Sequence, residues 1–226
     1  MDRTRWPARS KIPVARPGLK FIYTAILLTG MFFYFGWMVF ALLFAGAGLF
    51  VTWFFRDPDR IPPEDENGLV SPADGKIIFA EIISENDYVA GSCLKISIFM
   101  NVFNVHVNRA PFDGTIEKVQ YYPGRFFNAS FDKASTQNER NALIMKTEDG
   151  QRFAVVQIAG LIARRIVNCV VPGDRLKKGD RYGMIQFGSR LDLYLPTGFK
   201  KSVRVGQKVA AGNTILGYMQ QNLINE

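Results

Sequence analysis

Between Lys20 and Arg56 the chain runs for 35 residues, Phe21–Phe55, without one charged side chain. A stretch apolar on every side has no face to offer water, which excludes an ordinary surface helix. One upright helix needs about 20 residues to cross a hydrocarbon core of roughly 30 Å. The run is too long for that and just long enough for two short helices, with Gly36 near the middle as a turn. Residues 21–55 are therefore expected to form a hydrophobic helical hairpin that anchors the chain to a membrane. One long tilted span is the main rival and would put the rest of the chain on the opposite side. A secretory signal peptide fits less well, because its apolar region is about 7–15 residues long. Small residues at Ala45, Gly46 and Ala47 do resemble a cleavage site, but apolar or neutral residues continue from there to Phe55.

Charge supports the anchor. The net charge is +8, and residues 1–20 hold six cations (Arg3, Arg5, Arg9, Lys11, Arg16 and Lys20) against Asp2 alone. A basic tail beside an apolar run suits anionic lipid. With Lys20 before the run and Arg56 after it, the positive-inside tendency puts both hairpin ends on the cytoplasmic face of the cell (inner) membrane. The following domain is expected on the same face, with Trp37 and Trp53 at interfaces. The body is only mildly basic and has no basic stripe interleaved with aromatics, so nucleic acid is not an expected partner.

Residues 56–68 (RDPDRIPPEDENG) form a polar, proline-bearing linker. From 69 to 226 the pattern is short and β-like: Lys76–Ile83, Leu94–Phe99, Val102–Asn108, Gly114–Tyr122, Ala142–Lys146, Phe153–Ile158 and Tyr182–Phe187 are rich in Ile, Val, Phe and Tyr. A mainly β domain, a compact barrel or sandwich, is expected. Pro72-Ala73-Asp74-Gly75-Lys76-Ile77 recurs 39 residues later as Pro111-Phe112-Asp113-Gly114-Thr115-Ile116. Each copy reads as a turn feeding a strand. Val203–Val209 with Ala211–Thr214 resembles the hairpin turns of biotinyl and lipoyl carrier domains, without their Met-Lys-Met carrier site. Cys93 and Cys169 stand apart and form neither a metal motif nor a disulfide framework, so both read as small buried thiols in a reducing compartment. No metal is expected, since His106 is the one histidine.

Gly188-Ser189 lies between two apolar β runs, Gly183–Phe187 and Leu191–Pro196. On spacing alone it is a bulge or tight bend, and it is not a G-x-S-x-G elbow, which needs a glycine two places after the serine. In a wider frame the stretch resembles the self-cleavage site of the short-form (type A) phosphatidylserine decarboxylases. Five further blocks resemble that family in the same order: Phe54–Pro58, Ser71–Gly75, Phe99–Asn101 running to His106–Pro111, Asn138–Asn141, and Gln157–Arg165.

That resemblance implies a proenzyme. Ser189 would attack the carbonyl of Gly188, and the chain would part into residues 1–188 and 189–226, which stay together as a heterodimer. Ser189 would end as a pyruvoyl group, the electron sink for decarboxylating phosphatidylserine to phosphatidylethanolamine in phospholipid biosynthesis, with neither metal nor pyridoxal phosphate. His106 would move protons, and Asp74 would orient or charge-stabilise its imidazole. Long-form members carry a second histidine three residues on, where this chain has Arg109, so His106 would serve both steps or the decarboxylation alone. Asp74 could instead shape a turn, as Asp113 does in the echo. Arg164 or Arg165 would hold a lipid phosphate or carboxylate, which a guanidinium suits. Two other readings stay open: the same reaction on an archaetidylserine-type ether lipid, and a membrane-tethered β adaptor without catalysis.

Overall fold

The uncharged run folds as two helices, α1 (Arg16–Tyr34) and α2 (Met38–Phe54), in the computed structural model, which describes residues 12–131, 133–161, 165–186 and 188–219. At about 1.5 Å per residue the helices are roughly 28 and 26 Å long, close to the depth of a bilayer core. Gly36 makes the turn between them at φ +74°, a left-handed backbone that glycine adopts without penalty. Small residues face inward: Ala25 and Ala41 are buried, and a Cβ placed on Gly48 would lie 3.1 Å from that of Ala25. The large side chains, among them Leu27, Phe33, Leu42 and Leu49, point outward and are exposed. This is the packing expected in lipid, where close backbone approach replaces hydrophobic burial as the helix–helix attraction. Thr24, Thr29 and Thr52 each donate to the carbonyl four residues back, so their hydroxyls stay satisfied in an apolar surround. Arg16–Tyr34 is long and apolar enough to cross a membrane, and Met38–Phe54 is a shorter apolar helix. The described residues divide into two compact units between Asp59 and Arg60.

The unit that starts at Arg60 is mainly β. Its elements are β1 (Gly68–Val70), β2 (Gly75–Ile83), β3 (Cys93–Met100), β4 (Val107–Arg109), β5 (Gly114–Tyr122), a one-turn helix α3 (Ala134–Gln137), β6 (Arg140–Lys146) and β7 (Arg152–Ala159). There follow β8 (Ile166–Asn168), β9 (Arg175–Leu176), β10 (Arg181–Ile185), β11 (Ser189–Pro196), β12 (Phe199–Lys201), β13 (Lys208–Val209) and β14 (Ile215–Met219). Eight strands form a curled antiparallel sheet in the order β13-β2-β3-β11-β7-β6-β5-β9. Two three-stranded sheets, β1-β14-β12 and β4-β10-β8, complete the fold. The main core draws Ile98, Met100, Leu191 and Leu193 from the large sheet, Leu69 and Leu216 from one small sheet, and Tyr182 and Ile185 from the other. One face of the eight-stranded sheet thus packs against both smaller sheets. Alternate residues of β11 face the other way, where Tyr194 joins Cys93, Ala142, Val156 and Ile158 in a second cluster.

Six of the seven strands read from the sequence lie where their β-branched and aromatic content puts them, within two residues at either end. The run Val102–Asn108 does not: only Val107–Arg109 pairs as a strand. Asn101 and Asn104 override its β-branched composition. Asn104 Oδ1 accepts from the Asn101 amide (2.9 Å) and Asn101 Oδ1 from the Phe103 amide (2.9 Å), closing a turn that a strand could not share. Cys93 is buried, whereas Cys169, just past the end of β8, is only half-buried.

The sequence echo proves to be part of a larger structural repeat. Ile77 and Ile116 each donate to a hairpin carbonyl, of Gln207 and Asp174, at 2.9 Å. Their own carbonyls accept from Gly206 and Gly173 at 2.8 Å. The register of β2 slips between Ile77 and Phe79, and that of β5 between Ile116 and Lys118. The carboxylates follow the same rule: Asp74 Oδ1 accepts from the Ala211 amide (2.8 Å) and Asp113 Oδ1 from the Lys178 amide (2.7 Å). The large sheet is accordingly symmetric in plan, with the two-residue strands β13 and β9 at its opposite edges. The hairpin resembling carrier domains occurs twice, once at residues 170–180 and once at 203–213.

Candidate functional site

Ser189 opens β11, a central strand of the eight-stranded sheet, paired with Met100 of β3 on one side and Ala159 of β7 on the other. It is fully buried, and its position in the pleat directs the hydroxyl toward the main core. There Oγ donates to Met100 Sδ at 3.8 Å, its hydrogen bond among the described residues. Gly188 carries φ +64°, and its carbonyl presses on Gly160: a Cβ at position 160 would meet that oxygen at 2.1 Å and the carbonyl carbon at 3.0 Å. Two glycines therefore shape the 188–189 peptide, one by left-handed backbone and one by leaving room for the carbonyl. Gly188 thus turns the chain at the entry to β11, directly before the Ser189 hydroxyl.

A chain of buried amides starts from the same sulfur. Asn108 Nδ2 donates to Met100 Sδ at 3.8 Å, Gln157 Nε2 donates to Asn108 Oδ1 at 2.9 Å, and Asn141 Nδ2 donates to Gln157 Oε1 at 3.3 Å. Asn108 and Gln157 are fully buried. Amides at such depth hold fixed dipoles and fixed geometry, the preorganisation that charge development needs. Sequence reading missed all three, although each lies within a block that carries the family resemblance; Gln157 alone carries a signal, a polar residue inside the apolar run of β7.

His106 sits immediately before β4 and is fully buried. Its Nδ1 bonds the Asn104 carbonyl at 2.9 Å. A carbonyl only accepts, so Nδ1 carries the proton and Nε2 of the neutral ring keeps its lone pair. The phenols are poor substitutes as bases. Burial pushes the Tyr182 hydroxyl well up, and burial followed by the Asp192 charge does the same to Tyr194, so both stay protonated near neutral pH.

Asp74 is engaged elsewhere. Arg60 grips it with both terminal nitrogens (2.6 and 2.9 Å), and Arg60 Nη1 also donates to the Ala211 carbonyl (2.8 Å). Among the described residues its hydrogen bonds go to Arg60 and Ala211, not to His106. Its bond to the Ala211 amide is the one Asp113 repeats, so turn shaping is common to both copies and the arginine is particular to Asp74. Arg109, which the sequence reading set against a second histidine, is also buried and donates to the Gly179 carbonyl at 2.9 Å. It lies beside Gly212, within reach of the Asp74–Arg60 pair: a Cβ at position 212 would be 3.0 Å from Arg109 Cδ and 3.9 Å from Arg60 Cβ. Arg165 is exposed, while Arg164 lies outside the described residues.

On the far face of β11, directly after the serine, Arg190 and Asp192 form a buried ion pair at 2.6 Å. Arg190 further donates to Ser97 Oγ (2.8 Å) and to the Phe131 carbonyl (3.4 Å), and Lys95 approaches Asp192 at 3.4 Å. The pair fastens the first residues of β11 to β3 and to the loop that ends in α3. Removing one partner of a buried pair strands the other charge, so Arg190→Met should lower the stability to urea by about 3–5 kcal/mol, with Arg190→Met/Asp192→Leu recovering most of the loss. Equal losses in the single and double variants would show that the pair does not fix the strand.

A pocket of about 240 Å³ opens on Gly188. Its other walls are Phe99 at the end of β3, Asn101 and Val102 of the Asx turn, Asn128 and Ala129, and Leu161. Three loops thus converge on the kinked peptide. Among the described residues no group of three His, Cys, Asp or Glu side chains is placed to hold a metal ion.

The sequence profile of the family described as phosphatidylserine decarboxylase matches residues 47–217. A phosphatidylserine decarboxylase proenzyme of Desulfotalea psychrophila is 49% identical over 207 residues, 92% of this chain and 97% of that one. The proenzyme of Syntrophus aciditrophicus is 50% identical over 207 residues, covering 90% and 96%. That of Burkholderia vietnamiensis is 49% identical over 208 residues, covering 92% and 97%.

Proposed function

The chain belongs to the phosphatidylserine decarboxylase family of proenzymes, and from that premise we propose how its own residues carry the reaction. It cuts itself between Gly188 and Ser189, then converts phosphatidylserine to phosphatidylethanolamine and carbon dioxide. The observation that carries this reading is the pocket at Gly188: the peptide marked for cutting by its sequence frame is also the wall of a cavity.

Cutting begins as Ser189 Oγ adds to the Gly188 carbonyl carbon. The carbon–nitrogen bond breaks, the serine nitrogen takes the hydroxyl proton, and an ester links residues 188 and 189. Loss of the Ser189 Cα proton then expels the Gly188 carboxylate and leaves a carbon–carbon double bond at 189. Water replaces the nitrogen, which departs as ammonia. The products are residues 1–188, ending in a carboxylate, and residues 189–226, beginning with a pyruvoyl ketone. Gly160 supports the first step by giving the Gly188 carbonyl room to become tetrahedral against the strand.

The ketone supplies an electrophile that takes up the substrate amine and receives the electron pair released with carbon dioxide. It fits the site as found: a buried position at the head of a pinned strand, beside a cavity and a row of fixed amides. His106 Nε2, which starts with a lone pair, takes a proton that the substrate ammonium gives up on joining the ketone and later returns it to the carbon that lost its carboxylate. Asp74 with Arg60 acts as a positioning pair, holding Ala211 of the smaller chain on the larger one after the cut. Arg165 and Arg164 draw the anionic head group, and residues 21–55 anchor the enzyme with its catalytic domain, 69–226, on the cytoplasmic face.

Denaturing electrophoresis with intact-mass measurement tests the reading. Purified protein should give two fragments, the smaller lacking a free amino group and reacting with a carbonyl reagent. The same preparation should release carbon dioxide from phosphatidylserine, and a parallel assay on the ether-lipid analogue settles the backbone. A single intact chain without carbonyl reactivity would overturn the proposal.

A further inference from the structure

The pocket is too small for the substrate proposed above. Cavities that take drug-sized ligands run from about 300 to 1,000 Å³, and this one offers about 240 Å³. That space suits a polar head group and leaves two acyl chains outside. Pulling a two-chain lipid fully into water costs about 0.8 kcal/mol per CH₂, so the chains have to stay in the bilayer while the head group reacts. The bilayer must then meet the mouth of the pocket itself.

The mouth is built for such a meeting. Each loop that lines it puts a large apolar side chain into solvent: Phe103 next to Val102 (64% exposed), Phe131 just after Ala129 (54%) and Leu161 itself (62%). None packs into either core cluster. Cations stand among them. Lys133 Nζ lies 4.5 Å from the ring of Phe127 and 5.9 Å from that of Phe131, and Arg125 lies 6.0 Å from Phe127. Arg125, Lys133 and Arg165 are all exposed. By sequence, segments 99–105, 125–133 and 159–166 together hold four cations and the single acid Asp132. Apolar tips interleaved with cations match an interface whose lipids are apolar below and anionic at the surface.

We propose that Phe103, Phe131 and Leu161, with Arg125 and Lys133, form a docking rim that enters the surface of a bilayer containing anionic lipid and brings it to the pocket. The inference rests on the lipid reading above and adds the surface by which the catalytic domain meets its substrate. Charge gives the rim a direction. Phosphatidylserine carries one net negative charge and phosphatidylethanolamine none, so a cationic rim favours substrate-rich membrane over product-rich membrane.

The test uses the full chain bearing Phe103→Ser/Phe131→Ser, two residues that do not line the pocket. It is assayed on monomeric dihexanoyl phosphatidylserine in detergent and on phosphatidylcholine vesicles carrying long-chain phosphatidylserine. The variant should be cut as fully as the wild type and keep its kcat/KM on the monomer within about twofold, while losing about tenfold or more on vesicles. Arg125→Ala/Lys133→Ala should flatten the fall of vesicle activity with added salt. Equal losses on both substrates, or no loss on either, would overturn the rim. A change in oligomeric state accompanied by loss on both would assign the surface to a second copy of the chain instead. Wild-type protein that decarboxylates neither form sinks the lipid reading itself, a result separate from all of these.

Discussion

Ser189→Ala should leave one uncut chain of 226 residues and no decarboxylase activity at any enzyme concentration. The expectation follows from where the hydroxyl sits. Its hydrogen bond goes to a thioether sulfur at 3.8 Å, a weak acceptor, so little folding energy depends on it. Alanine fits β11 between Met100 and Ala159, and stability should stay within about 1 kcal/mol of an uncut serine precursor. Loss of activity with an unchanged fold, read by circular dichroism and urea unfolding, then reports chemistry alone. In the proposed route the oxygen removed is the atom at position 189 that opens the 188–189 bond, and also the atom whose departure leads to the ketone. A variant that still yielded phosphatidylethanolamine would mean that the electrophile lies elsewhere in the chain. A variant that was cut but inactive would mean that another nucleophile opens the peptide.

Local signals in the sequence were readable because they are local. The charge-free run, with Gly36 at its middle, contains its own turn, and alternation within a strand needs no knowledge of the strand's neighbours. The Asn101–Asn104 turn was lost among β-branched residues because two short side chains, not composition, decide it. Contacts across the sheets left no trace of that kind. Asn108 and Gln157 are separated by 49 residues and meet only because β4 and β7 face the same core. Alternation along β11 would send Arg190 and Asp192 to solvent, yet the strand is central and covered on both faces, so the charges are buried and paired with each other. Asp74 has partners that the motif does not name. The resemblance places it beside an imidazole, while its bonds run to Arg60 and to a hairpin amide in a repeat whose other copy, with Asp113, has no histidine to orient.

His106→Gln should separate the two chemical steps. In the precursor the attacking hydroxyl is held by Met100 Sδ, which Asn108 also contacts, and the imidazole is held from its other nitrogen by Asn104. The bond that the hydroxyl itself makes goes to Met100 and not to a ring nitrogen, so the fraction of chain cut should remain close to wild type. Decarboxylation has a different need. Once carbon dioxide has left, the carbon must be reprotonated inside a buried site, and the buried phenols Tyr182 and Tyr194 are poor proton donors because burial pushes their hydroxyls up. Glutamine can keep the bond to the Asn104 carbonyl but cannot exchange a proton near neutral pH. Turnover should fall by about 10²–10⁴-fold, the usual contribution of a placed acid or base, with KM changed far less. Intact mass measures the first quantity and carbon dioxide release the second, on one preparation. If the variant stays uncut, His106 drives both steps despite its distance in bonding from Ser189, and Arg109 has not displaced a cleavage base. If it is cut and turns over normally, the proton comes from another group, and the surroundings of the buried amide row beside Met100 would be the place to look.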